Sequence, residues 1–139
     1  FIRLIFLASA ILIGYELITV FGLRGSDPLL KQKLKAIKSE LRQQGYQPIW
    51  IIISQRRSQW YNELLSNSVK DSRHLKGKAI DIFILDINGD WRYDQSDFGL
   101  IKNTAINLEV NNPAYKGKVL NYLKNKSPFS KRMVHLDLR

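Results

Sequence analysis

Residues 72–86 read SRHLKGKAIDIFILD, and the fold turns on this stretch. From Lys78 to Asp86 the residues are apolar, β-branched or aromatic, which predicts a strand. Alternation places Ile80, Ile82 and Ile84 on one face and Ala79, Asp81, Phe83 and Leu85 on the other. Asp81 is therefore an ionisable group set in an apolar strand, and a carboxylate in such a place needs a partner. His74 lies on the preceding loop, and Gly77 lets that loop fold close beside the strand. An imidazole and a carboxylate can so converge on one cation.

Residues 132–138 predict a second strand of the same kind, with Met133, His135, Asp137 and Arg139 on one face and Val134, Leu136 and Leu138 on the other. His74 and His135 are the chain's 2 histidines. Taken singly, each reads as well as a core or surface residue satisfied by a hydrogen bond. Together with Asp81 they supply two imidazoles and one carboxylate, the three protein ligands of an open zinc site with a position left for water. The absence of cysteine excludes a disulfide framework, a thiolate nucleophile and any Cys-ligated metal.

The remaining segments supply a scaffold. Ser26-Asp27-Pro28 offers a cap followed by a proline at a first helical position, and Leu30, Leu34, Ile37 and Leu41 recur at helical spacing until Gly45. Pro48 to Ser54 (PIWIIIS) predicts a short strand buried on both faces. Helices are expected over Ser58–Ser66, Asp97–Leu108 and about Ala114–Lys124. With 139 residues, 45% of them hydrophobic, and no internal repeat, the expectation is one α+β domain over residues 24–139. It is a small antiparallel sheet with flanking helices that carries the zinc site. The formal charge of +10 predicts an anionic partner, and charge alone does not choose among nucleic acid, acidic lipid and wall polymer. The basic residues are scattered over helices instead of interleaved with aromatics, so nucleic acid is not expected. Phe1 to Leu23 carries only Arg3 and Glu16 as charges and is long enough to span a bilayer, which predicts an N-terminal membrane helix. Residues 1–23 are read as an anchor or signal segment, and the chain as exported or membrane-anchored, extracytoplasmic, and truncated at its C-terminus.

At this point the sequence resembles the M15-type zinc peptidases, the D-alanyl-D-alanine carboxypeptidases and murein endopeptidases whose metal site is shared with the hedgehog amino-terminal domain. The motif S-x-H-x-x-G-x-A-x-D is matched by Ser72, His74, Gly77, Ala79 and Asp81, and V-H-x-D with a following basic residue by Val134, His135, Asp137 and Arg139. Ser54 to Asn62 (SQRRSQWYN) is similar to the family's S-G-Y-R-S-x-x-Y-N, with Arg57 on the arginine position. The three motifs stand in order over about residues 30–139. The resemblance implies a zinc-dependent peptidase that hydrolyses peptide bonds in peptidoglycan stem peptides or cross-links, with His74, Asp81 and His135 as zinc ligands. Arg57 would hold a substrate carboxylate or a developing oxyanion through its planar fork. Two departures stand out. Arg132 occupies the place, three residues before the last zinc histidine, where many members carry an acidic general base, which leaves Asp137 as the substitute base or as an orienting partner of a ligand. Lys118 to Tyr122 lacks the glycines of the family. The alternative that these departures admit is a catalytically degenerate, metal-stabilised wall-binding domain.

A second group of oxygen donors follows the Asp81 strand. Residues 86–97 (DINGDWRYDQSD) place Asp86, Asn88, Asp90, Asp94 and Asp97 at loop positions 1, 3, 5, 9 and 12, with the Arg92 carbonyl at position 7. The loop resembles an EF-hand or dockerin-type calcium loop, except that Trp91 stands where glycine makes the sharp turn and Asp97 is shorter than the usual glutamate. Calcium is accordingly expected as a second cation, in a structural role.

Overall fold

The computed structural model describes residues 25–54 and 73–139. The first helix, α1, runs Pro28–Gln43. Its N-terminus is capped by the Asp27 carboxylate, which accepts the Leu29 N–H at 2.8 Å, with Pro28 in the first turn where a missing N–H costs nothing. Gly45, at φ +91°, turns the chain out of the helix. Leu30, Leu34, Ile37 and Leu41 form one buried stripe.

Four strands follow: β1 (Ile49–Ser54), β2 (Ala79–Asp86), β3 (Val119–Asn121) and β4 (Met133–Asp137). They lie in the order β1-β2-β4-β3, with every pair antiparallel. Helix α2 (Gln95–Asn111) separates β2 from β3, and the single-turn helix α3 (Pro128–Lys131) leads into β4. The isoleucine face of β2, with Val134 and Leu136 of β4 and Trp50 and Ile52 of β1, packs on the α1 stripe and on Phe98, Ile101 and Ala105 of α2. Each buried Val, Leu, Ile or Phe among them contributes roughly 1.5–3 kcal/mol by leaving water. The helices thus cover one face of the sheet, and the other face carries Asp81 and His135.

Three expectations are corrected. β1 is an edge strand, so only Trp50 and Ile52 turn fully into the core, while Ile51 is half-buried and Ile53 is 42% exposed. The span Ala114–Lys124 is not a helix. Pro113–Tyr115 makes one 3-10 turn, capped by the Asn112 side chain on the Ala114 N–H, and Val119–Asn121 is then drawn into the sheet beside β4. Tertiary pairing outweighs local propensity there. The helix expected over Asp97–Leu108 is longer, because Asp94 caps it in reciprocal contact with Asp97. Among the described residues no helix is long and apolar enough to cross a membrane. The segment 1–23, the helix expected over Ser58–Ser66, and Arg57 lie outside the described residues.

Candidate metal centre

Strand register brings the site together. Asp81 in β2 stands directly opposite His135 in β4, and Ala79 opposite Asp137, so alternation puts all four on the sheet face away from the helices. His74 reaches that face from the turn before β2. The turn closes through Gly77 N–H to the His74 carbonyl at 3.2 Å and Lys78 N–H to the Arg73 carbonyl at 2.9 Å. Gly77 has φ +69°, and its carbonyl accepts the Asp27 N–H at 2.9 Å. A Cβ there would lie 2.6 Å from the Gly25 carbonyl oxygen, so the loop's approach to the α1 cap requires glycine.

The two imidazoles grip opposite oxygens of one carboxylate. His135 Nδ1 lies 2.9 Å from Asp81 Oδ1, and His74 Nε2 lies 3.4 Å from Asp81 Oδ2. The rings are 5.2 Å apart at an interplanar angle of 61°. Donor atoms of His74, Asp81 and His135 all fall within 4.8 Å of one another. Among the described residues this is the group of His, Asp and Glu side chains compact enough to share an ion. Asp81 is 3% exposed. Burial pushes its carboxyl up, yet the hydrogen bonds and charges of His135 and His74 outweigh burial and hold it below the usual carboxylate range. The group is therefore an anion at neutral pH.

The donor set fits zinc. Two donors about 2.0–2.1 Å from a tetrahedral ion sit roughly 3.3–3.4 Å apart, which the His74–Asp81 separation matches. The shorter His135–Asp81 contact is a hydrogen bond that a cation would replace.

Asp137 supports this triad from behind. Its Oδ1 accepts the Lys118 N–H at 2.5 Å, and its Oδ2 lies 3.5 Å from Arg73 Nε and 3.8 Å from His135 Nε2. Arg73 also donates to the Leu138 carbonyl, tying the His74 turn to β4. Beneath, the fully buried Lys33 donates to the Asp137 carbonyl at 3.2 Å and pairs with Glu109 at 3.0 Å. Lys33 is not among the residues that the sequence pattern singled out for the site. The available signal was Lys33's place between Leu30 and Ile37, on the apolar stripe itself. Arg132 points elsewhere: its guanidinium donates to the carbonyls of Ile84 at 3.1 Å, Leu85 at 3.0 Å and Trp91 at 3.2 Å.

The acidic loop begins at the end of β2 and ends in the first turn of α2. Asp86 Oδ1 accepts the Gly89 N–H, Asn88 Oδ1 the Asp90 N–H, Asp90 Oδ1 the Arg92 N–H and Asp94 Oδ1 the Ser96 N–H. Trp91 adopts φ +59°, so the turn that glycine ordinarily makes is present despite the larger residue. Burial pushes the Asp97 carboxyl up. The Asp94 backbone N–H pulls it down, and the charges of Asp94, Asp90 and Asp86 push it further up.

No family model matches the sequence, and no curated protein matches it. The fold is similar to that of the crystal structure of Serratia marcescens L-Ala D-Glu endopeptidase ChiX, with a TM-score of 0.55 over 86% of each chain at 15% sequence identity. At that identity the likeness is one of fold.

Proposed function

We propose that the chain is a zinc-dependent peptidase acting on peptidoglycan stem peptides or cross-links. The observation that carries this reading is the convergence of His74, Asp81 and His135 on one sheet face, in a fold shared with an L-Ala D-Glu endopeptidase. Zinc, when bound, supplies the Lewis acidity that activates water and polarises a scissile carbonyl. The chain's own residues do the rest. Asp81 offers a permanent anion that the two imidazoles orient. Arg57, on the arginine position of the third motif, is assigned the substrate carboxylate or the developing oxyanion. The formal charge of +10 favours a carboxylate-rich substrate accompanied by anionic wall polymers. An extracytoplasmic site of action, with residues 1–23 as anchor or signal, belongs to the same proposal.

Asp137 is assigned the task of holding the His135 ring, because the residue is 3% exposed and its oxygens face Lys118 N–H, Arg73 and His135. Asp137→Asn is expected to lower zinc affinity by about 10–100-fold, the usual cost of losing an outer partner of a metal-bound imidazole. Unchanged zinc affinity with a fall in kcat alone would instead give Asp137 the proton. The whole reading is tested on purified murein: the zinc-loaded chain is expected to release peptide fragments. A folded, zinc-loaded chain that binds murein and releases nothing would establish the catalytically degenerate wall-binding domain, which Arg132 at the usual base position favours.

A further inference from the structure

We propose that Lys33 is a positioning residue of the metal centre: from the helix side of the sheet it fixes the backbone at Asp137, so that the Asp137 carboxylate stands behind His135. The proposal rests on the zinc reading of the triad. The observation that carries it is an exchange of partners at the end of β4. By register, Lys118 stands opposite Asp137, one pair beyond Val119 and Leu136. The Asp137 N–H donates to the Lys118 carbonyl at 3.0 Å, so this is a pair whose two residues ordinarily exchange both backbone bonds. The return bond goes elsewhere. The Lys118 N–H donates to Asp137 Oδ1 at 2.5 Å, and the Asp137 carbonyl accepts from Lys33 Nζ at 3.2 Å. The carboxylate thus takes its own carbonyl's place in the ladder, and Lys33 takes up the carbonyl that this releases. With Oδ1 pinned, Oδ2 is turned to Arg73 Nε at 3.5 Å and to His135 Nε2 at 3.8 Å. His135 presents its other nitrogen, Nδ1, to Asp81.

Packing alone does not call for a lysine here. Lys33 is fully buried on the apolar stripe of α1, where a charged head loses its hydration and depends on its partners. Those partners are Glu109 of α2 at 3.0 Å and the Asp137 carbonyl. Apolar side chains of similar size in place of a buried ion pair commonly leave stability unchanged or raised. What they would lack is a donor that reaches a carbonyl in the sheet from a helix whose own N–H groups are bonded within it. The ammonium therefore links α1, α2 and β4 at the one residue whose carboxylate faces His135.

Zinc affinity of the full chain, measured by competition with a chromogenic chelator and set beside thermal melting, tests the proposal. Lys33→Met combined with Glu109→Leu replaces both charges by apolar side chains and is expected to fold. It is expected to bind zinc about 10-fold or more weakly, as when an outer partner of a metal-bound imidazole is lost. Lys33→Met alone leaves the Glu109 side chain, 20% exposed, within reach of water, and is expected to give the same loss. Ile37→Val thins the same stripe of α1 and is expected to lower Tm with zinc affinity unchanged. Adding Asp137→Asn to Lys33→Met is expected to weaken zinc no further than Asp137→Asn alone, because Lys33 acts through that carboxylate. Wild-type zinc affinity in the folded Lys33 variants would overturn the proposal and leave the zinc reading standing. An equal loss in Ile37→Val, or full additivity with Asp137→Asn, would do the same. A wild-type chain that takes no zinc would overturn the zinc reading itself, and this proposal with it.

Discussion

Replacing His135 by alanine is expected to remove zinc from the chain and to cut murein hydrolysis by more than about 100-fold. In the proposed site His135 is one of three donors, and even an outer partner of such a ligand costs 10–100-fold when it is lost. The variant leaves His74 and Asp81 with one nitrogen and one carboxylate, too few to hold a tetrahedral ion against water. It also takes from Asp81 the 2.9 Å contact that does most to keep this buried carboxylate ionised. The fold should survive, because His135 lies on the sheet face away from the helices and its side chain is 15% exposed, whereas its neighbours Val134 and Leu136 fill the core. Circular dichroism separates loss of site from loss of fold. Wild-type rates of fragment release by a folded His135→Ala variant would contradict the assignment.

Gly117→Ala, in the segment that leads into β3, is expected to be strongly destabilising. A Cβ at this position would stand 1.9 Å from the Asp137 carbonyl oxygen, 2.6 Å from its carbonyl carbon and 2.8 Å from Oδ1. The first two are backbone atoms and cannot rotate away. The chains on either side are bound together by Asp137 N–H to the Lys118 carbonyl at 3.0 Å, Lys118 N–H to Asp137 Oδ1 at 2.5 Å and Arg139 N–H to the Lys116 carbonyl at 2.8 Å. Making room for one methyl group means separating these bonds and shifting the end of β4. A cost of about 3 kcal/mol or more follows, at the upper end for overpacking, with a fall in Tm on the order of 10 °C. Because Asp137 moves with the strand, zinc affinity is expected to fall too. Thermal and urea unfolding read the first effect, and an unchanged Tm would show that the contact relaxes without cost.

The triad was legible in the sequence for a physical reason. Strand alternation is the simplest periodicity a chain can carry, and it placed Asp81 and His135 on faces that the register then brought opposite each other. Gly77 likewise announced a close turn, and the turn is there. The supports of the site were not legible. Lys33 reaches Asp137 from a distant helix, Arg73 reaches it from the turn, and Gly117 matters only because β4 passes against it. None of these approaches has a local signature. The same cause explains the helix wrongly expected over Ala114–Lys124, where Val119 to Asn121 takes its conformation from β4. Arg132 was visible as a departure from the family pattern, but its engagement by the carbonyls of Ile84, Leu85 and Trp91 was not.

Zinc binding by His74, Asp81 and His135, on which the proposed function rests, is read out by the metal content of the full chain after dialysis against a calcium-selective chelator. One tightly held zinc per chain is expected, lost in His74→Ala while the fold is retained. A folded chain without zinc, or one whose zinc survives His74→Ala at full occupancy, would contradict it.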